Sequence, residues 1–127
     1  MKCLLDTHTA LWYFEGNNKL TPKSRDLIEN PSADISVSVA SAWEIAIKIS
    51  LGKLQFKGGS ARFFAKVAAH GFSMLPIGEK NLEALETLPF HHNDPFDRMI
   101  IATAMTENLS ILSSDEVFRK YAVKLIS

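Results

Sequence analysis

Short apolar runs alternate with helix-forming segments along this chain, and that alternation constrains the fold more than any other feature. The strand-like runs are Lys2–Leu5, Asp34–Val39, Phe72–Ile77, Leu109–Leu112 and Val123–Ile126. Helical segments separate them, as expected for parallel neighbours, which need long crossover connections. Since right-handed crossovers place helices on both faces of a sheet, the pattern predicts a three-layer α/β domain with a mostly parallel sheet.

Start and stop signals define the predicted helices between these strands. Thr21-Pro22 begins one and Asn30-Pro31 ends it, while Gly52 and Gly71 end two others. The predicted helices are Ala10–Phe14, Leu20–Asn30, Ala40–Leu51, Ala61–His70, Glu79–Leu88, one from Pro95 to about Met105, and a short one through Val117, Phe118 and Tyr121. Pro76 lacks a ladder donor, which places its strand at a sheet edge.

Length and composition predict one soluble domain covering residues 1–127. With 46% hydrophobic residues the chain can build a core without metal or disulfide staples. No apolar run reaches the roughly 18 residues that span a bilayer, and Asp6 comes too early for a secretory signal. The single Cys3 is expected to be a small buried apolar residue. A cytoplasmic protein with no membrane contact is predicted.

Charge is balanced overall and uneven locally. The chain has 14 basic and 14 acidic residues, so no net positive field attracts nucleic acid. From residue 45 to 78, however, there is no Asp or Glu, and the basic residues there are Lys48, Lys53, Lys57, Arg62 and Lys66. This stretch is either a solvated helix face or a surface that contacts a polyanion.

Four acids are predicted to meet at the carboxyl edge of the sheet. Asp6 and Asp115 follow the first and fourth strands, and Glu44 and Asp97 lie near the starts of helices. A helix antiparallel to the strands begins at their carboxyl edge, where open α/β sheets bind ligands. Clustered carboxylates need a counter-charge, and all-oxygen sites suit Mg²⁺ or Mn²⁺. Two such ions can hydrolyse a phosphodiester, which indicates a nuclease.

The segment from Asp94 to Arg98 offers both a structural and a functional explanation for its acids. Asp94 is expected to cap the helix, with Pro95 at its first position, and to pair with Arg98. Asp97 is in phase with the buried face of the helix, so its carboxylate is expected to point along the rim of the sheet. Asp97 is therefore the ligand candidate of this segment.

Other candidate residues have structural explanations that remain open. Glu44 could form a capping box with Ser41 or an ion pair with Lys48, four residues later. His8 could orient Asp6 or touch substrate, and Ser113 could hold the Asp115 carboxylate or cap the last helix. Further expectations are a solvated loop at His91 and His92, a helix C-terminus at His70, and core positions for Trp12 and Trp43.

Four blocks of sequence in order resemble the PIN-domain family, and more narrowly VapC-type toxins of bacterial toxin–antitoxin pairs. They are LLDTHTALW (Leu4–Trp12), SVASAWEIAIKISLGKL (Ser38–Leu54), HHNDPFDRMIIATA (His91–Ala104) and ILSSDEVFRKY (Ile111–Tyr121). The resemblance, closest to a branch with DTH and DPFDR motifs, implies a five-stranded α/β/α sandwich and Mg²⁺- or Mn²⁺-dependent endoribonuclease activity. It also implies homodimers and inhibition by a small cognate antitoxin.

Carried over residue by residue, the resemblance assigns the acidic quartet to Asp6, Glu44, Asp97 and Asp115. It assigns a supporting hydroxyl to Ser113, and it finds His8 where many members carry Asn. The quartet is the predicted catalytic and metal-binding set, in which Glu44 helps to hold the attacking water. Candidate supporting or substrate-contacting residues are His8, Ser113, Asp94, Arg98 and Lys48.

Two other functions are compatible with parts of the pattern. An α/β phosphatase or phospho-acceptor domain also uses an aspartate after its first strand, here Asp6, although His8 stands where a nucleophilic phosphatase would carry a second acid. A non-catalytic module that binds RNA or an antitoxin would keep the same fold with an inactive rim.

Overall fold

In the computed structural model, which describes residues 1–127, the five predicted strands form a single parallel sheet. The strands are β1 Lys2–Leu5, β2 Asp34–Ser38, β3 Ser73–Leu75, β4 Ser110–Leu112 and β5 Leu125–Ile126. Their order is β3-β2-β1-β4-β5, and every neighbouring pair is parallel. β3 lies at the edge as predicted, but Pro76 follows the strand instead of lying within it.

Helices cover both faces of this sheet, which confirms the three-layer α/β architecture. They are α1 Thr7–Glu15, α2 Pro22–Glu29, α3 Val39–Ser50, α4 Gly59–Ala69, α5 Glu79–Glu86 and α6 Pro95–Glu107, followed by a 3-10 helix, Glu116–Lys120. Successive strand side chains point to opposite faces. Cys3 and Leu5 of β1 accordingly pack with α1 and α4, whereas Leu4 packs with α6.

Local chemistry explains where two of the helices begin. α1 starts at Thr7, earlier than predicted, because the Asp6 side chain accepts a hydrogen bond from the Thr9 backbone and caps the helix. α3 is capped by Ser38, whose hydroxyl accepts from the Ala40 backbone. The predicted Ser41–Glu44 capping box is therefore wrong. Ser41 instead accepts a hydrogen bond from the Thr7 hydroxyl at 2.9 Å, which links α3 to α1.

None of the helices combines the length and apolar character needed to cross a bilayer.

Candidate active site

The chain changes direction across the sheet between β1 and β4, and the predicted acids gather at that point. β1 leads outward through β2 to β3, after which the chain returns to place β4 on the other side of β1. Such a switch point leaves a crevice at the carboxyl ends of the two strands. Asp6 directly follows β1 and Ser113 directly follows β4, so both side chains enter this crevice.

Asp6 is buried and held at both carboxylate oxygens. Its Oδ1 accepts a hydrogen bond from the Thr9 backbone at 3.0 Å, and its Oδ2 accepts from the Ser113 hydroxyl at 2.7 Å. Burial raises the pKa of the Asp6 carboxyl, and these two donors act in the opposite direction. The two hydrogen bonds therefore fix the orientation of the side chain. A nearby cation would stabilise its ionised form.

Ser113 connects Asp6 with Asp115. Its hydroxyl donates to Asp6 and accepts from the Asp115 backbone N–H at 3.0 Å. Asp115 itself is exposed, and its Oδ1 accepts from the Val117 backbone at the start of the 3-10 helix. The supporting role predicted for Ser113 thus has a structural counterpart, although the hydroxyl binds the Asp6 carboxylate and not that of Asp115.

A Ser113→Ala variant should lose stability because Asp6 is buried and would keep only one of its two donors. Leaving a buried polar group without its partner costs about 1–3 kcal/mol, which urea denaturation can measure. Ser114→Ala, at the exposed neighbouring serine, is the matched control. Equal unfolding midpoints for wild type and Ser113→Ala would contradict this expectation.

Glu44 reaches the crevice from α3 and is 3% exposed. Its Oε2 accepts from the Lys48 ammonium at 2.6 Å, as the predicted ion pair requires. Its Oε1 is buried and has no hydrogen-bond partner. Buried carboxylate oxygens are normally satisfied, so this oxygen is available for a cation or a water in the crevice.

Asp97 lies on the first turn of α6, within electrostatic reach of the other acids. Burial raises its pKa to about 7, with further contributions from the charges of Asp94, Asp6, Glu44 and Asp115. Carboxylates from three other segments of the chain therefore lie within electrostatic reach of Asp97 at this edge of the sheet. The predicted convergence of Asp6, Glu44, Asp97 and Asp115 is consistent with this proximity.

The donor set fits a hard divalent cation in its chemistry. As the side chains stand, no group of three or more His, Cys, Asp or Glu ligands is close enough together to hold one metal ion. The crevice nevertheless offers carboxylate oxygens, one of them buried and unpaired at Glu44. A cation would also offset the burial and the neighbouring negative charges that raise the pKa of Asp97. Asp6, Asp97 and Asp115 are the residues that would hold such an ion.

Asp94 and Arg98 have structural roles that differ from the prediction in one respect. Asp94 caps α6, and its Oδ1 accepts from the backbones of Phe96 and Asp97. The expected Asp94–Arg98 ion pair is wrong, because the buried guanidinium donates to the carbonyls of Leu88 and Pro89 at 3.0 and 2.8 Å. Those carbonyls need donors in the loop before α6, so Arg98 is used to anchor that loop.

Several other residues lie differently from expectation. His8 is exposed and makes no hydrogen bond with Asp6. Trp12 packs against the core as predicted, but Trp43 is 58% exposed, so its predicted core position is wrong. The Trp43 ring instead packs edge to face against the Phe96 ring, with 5.3 Å between the ring centroids. Glu44 and Asp97 are the next residues in the chain after these two aromatic residues. Trp43 lies on the face of α3 that is turned away from the sheet, and the hydrophobicity of a residue alone does not show on which face of a helix it lies.

Tyr121 and His92 are the residues that sequence reasoning missed. The Tyr121 hydroxyl lies within hydrogen-bonding distance of the His92 ring, and the other nitrogen of that ring is 3.5 Å from Asp97 Oδ2. The predicted solvated loop is therefore partly buried at His92. The position of His92 just before the DPFDR segment is the one sequence signal for its contact with Asp97. No sequence signal indicates its contact with Tyr121, which is 29 residues away.

Comparison with known families and structures gives a consistent result. The model of the PIN domain matches residues 3–124, whereas no curated protein sequence matches this chain. Among solved structures, a chain of VapBC2 from Rickettsia felis bound to a promoter DNA fragment superposes with a TM-score of 0.73 at 15% identity, covering 99% of this chain and 98% of that one.

Two further solved structures have similar values. A chain of DNA-bound VapBC from Salmonella typhimurium has a TM-score of 0.72 at 16% identity, covering 99% and 97% of the two chains. A chain of a toxin–antitoxin complex from Klebsiella pneumoniae has a TM-score of 0.67 at 16% identity, covering 98% and 96%. At these identities the similarity establishes a shared fold.

Proposed function

This chain belongs to the PIN-domain family, and from that premise we propose that it is a divalent-metal-dependent endoribonuclease. The observation that carries the proposal is the buried Oε1 atom of Glu44, which has no hydrogen-bond partner and lies in the crevice with the buried carboxylate of Asp6. Carboxylates from three other segments of the chain lie within electrostatic reach of Asp97. A domain that needed these acids only for helix capping would have no reason to cluster them in one crevice.

The proposed division of labour follows from how each acid is held. Asp6, Asp97 and Asp115 would hold Mg²⁺ or Mn²⁺, which would supply Lewis-acid activation of water and of a phosphodiester. Lys48 fixes one oxygen of Glu44 and leaves Oε1 to accept a proton from the attacking water. Ser113 keeps the Asp6 carboxylate in one orientation. The exposed Lys53 and Lys57 are available to RNA phosphates along the acid-free stretch.

We further propose that the protein is the VapC-like toxin of a toxin–antitoxin pair. The structures it resembles include VapBC complexes and a toxin–antitoxin complex, and the four sequence blocks resemble VapC. In this proposal a small VapB-like antitoxin neutralises a homodimeric toxin in the cytoplasm, where both cellular RNA and the antitoxin are present. Co-purification with the product of an adjacent small reading frame, and recovery of growth on its co-expression, would test the pairing.

The alternative function, in which Asp6 accepts a phosphoryl group, has less support. The His8 side chain, where a phosphatase would carry its second acid, is exposed and makes no hydrogen bond to Asp6.

Incubation of purified, antitoxin-free protein with single-stranded RNA tests the proposed activity directly. Cleavage is expected with Mn²⁺ or Mg²⁺ and should stop in EDTA. A DNA oligonucleotide of the same sequence shows whether the 2′-hydroxyl is required. A protein that binds RNA in Mn²⁺ without cutting it would be the non-catalytic module instead.

A further inference from the structure

The Tyr121 hydroxyl lies at the centre of a buried hydrogen-bond cluster at the end of the 3-10 helix. The backbone N–H groups of His91 and His92 both donate to it at 3.2 Å. The Arg98 guanidinium approaches it at 3.4 Å, and the Nδ1 atom of His92 lies nearest, at 2.8 Å. Tyr121 is 6% exposed, so the hydroxyl must find its partners within the protein.

Counting protons in this cluster determines which nitrogen of His92 carries hydrogen. A tyrosine hydroxyl has one proton to donate and two lone pairs that accept. The two backbone N–H groups and the guanidinium can only donate, so none of them can receive the hydroxyl proton. His92 Nδ1 is the one acceptor among the four neighbours. A neutral ring that accepts this proton at Nδ1 carries its own proton on Nε2.

That Nε2–H is directed at the acidic site. It is buried, it makes no hydrogen bond, and it lies 3.5 Å from Asp97 Oδ2. The distance is longer than an ordinary N–H···O hydrogen bond, yet Asp97 is the acceptor within reach. A shift of a few tenths of an ångström in either side chain would form the bond, which buried donors strongly favour.

We propose that His92 is a positioning residue for Asp97, and that Tyr121 sets the tautomer of His92 so that its Nε2–H holds Oδ2 and orients the carboxylate. This inference rests on the proposed function, because it takes Asp97 to be a metal ligand. Ligands to metals are commonly oriented by hydrogen-bonding partners behind them. In the usual arrangement a carboxylate supports a metal-binding histidine, whereas here a histidine supports a metal-binding carboxylate.

Arg98 makes the arrangement rigid. Its guanidinium ties the carbonyls of Leu88 and Pro89 to the Tyr121 cluster and lies 3.7 Å from the centre of the Phe90 ring. The loop before α6 is thus fixed at the same hydroxyl that orients His92.

Nitrogen NMR of the histidine rings tests the tautomer without any enzymatic assay. Long-range ¹H–¹⁵N correlations of metal-free protein should show the Nε2–H form for His92. In Tyr121→Phe the proton donor to Nδ1 is lost, so the Nδ1–H form should become populated. Tyr13→Phe is the matched control, since that hydroxyl donates to Glu29 on α2. A predominantly Nδ1–H ring in the wild type would overturn the inference.

Mn²⁺ titration calorimetry tests the consequence. Removing a positioning partner typically weakens metal binding about 10- to 100-fold, so this loss is expected for His92→Leu. His92→Gln keeps an N–H donor near the position of Nε2 and should bind Mn²⁺ within about threefold of the wild type, a retention that simple packing would not produce. The same two substitutions at His70, which caps α4, are the controls.

The outcomes separate the inference from the proposed function. Equal Mn²⁺ affinity for wild type and His92→Leu would overturn the positioning role while the nuclease proposal stood. A wild type that bound no Mn²⁺ would overturn the proposed function, and the NMR result would still decide the tautomer. Circular dichroism of each variant shows whether it is folded. If Tyr121→Phe does not fold, the comparison of His92→Gln with His92→Leu decides the positioning role.

Discussion

Asp97→Asn should reduce RNA cleavage by about 10³-fold or more, since Lewis-acid activation contributes several kcal/mol and each 1.4 kcal/mol changes a rate about tenfold. Asparagine has nearly the same shape as aspartate but lacks the negative charge that a hard cation prefers. The helix cap is unaffected because Asp94, not Asp97, provides it. Single-turnover cleavage of a labelled RNA in excess Mn²⁺ measures the loss.

Matched variants determine whether the loss is specific to the site. Asp6→Asn should behave like Asp97→Asn, and Glu44→Gln should lower the rate while leaving Mn²⁺ affinity closer to that of the wild type. Asp26→Asn and Glu83→Gln, at exposed positions on α2 and α5, should cut RNA normally. Unchanged cleavage by either Asp6→Asn or Asp97→Asn would refute the assignment of these acids.

The same Asp97→Asn substitution should stabilise the metal-free protein at alkaline pH. Asp97 has a pKa of about 7 in the folded chain against a reference value of 3.8. Between these values the native state binds the extra proton, so the free energy of unfolding falls as pH rises through about 7. Each pKa unit corresponds to about 1.4 kcal/mol, so the ionised carboxylate destabilises the native state by at most about 4 kcal/mol at pH 8.

Urea denaturation in EDTA at pH 5 and pH 8 measures this effect. The gain from Asp97→Asn should be large at pH 8 and much smaller at pH 5, where the wild-type carboxyl is mostly protonated. Attraction of a first-turn acid to the helix dipole contributes only about 0.3–1 kcal/mol in the opposite direction. Saturating Mn²⁺ should stabilise the wild type selectively. A loss of stability in Asp97→Asn at pH 8 in EDTA would contradict the cost of burying this carboxylate among other negative charges.

The basis for the fold lies in local features of the sequence. Apolar runs such as Lys2–Leu5, separated by helix signals, predict the parallel sheet because side-chain periodicity and crossover geometry leave few alternatives. Asp94 and Pro95 predict the start of α6 for the same local reason, and the structure confirms it. The predicted boundaries are less accurate where two serines could cap the same helix, as with Ser38 before α3 and Ser41 within it.

Only the tertiary structure decided which side chains meet across the chain. Ser113 binds Asp6 over a separation of 107 residues, and Tyr121 reaches His92 over 29. Neither contact leaves a periodic signal, because each depends on how β4 and the 3-10 helix pack against distant segments. Trp43 is similar: its apolar character predicted a core position, but the packing of α3 left it exposed beside Phe96.

The sequence by itself therefore determined the sheet, the helix that begins at Pro95 and the edge to which the acids are carried, since these follow from patterns within a few residues. The tertiary structure decided how the carboxylates act on one another, because charge repulsion and desolvation depend on distances and burial that no local pattern contains. It also decided that a histidine and a tyrosine lie behind Asp97, because those contacts arise only when remote segments pack together.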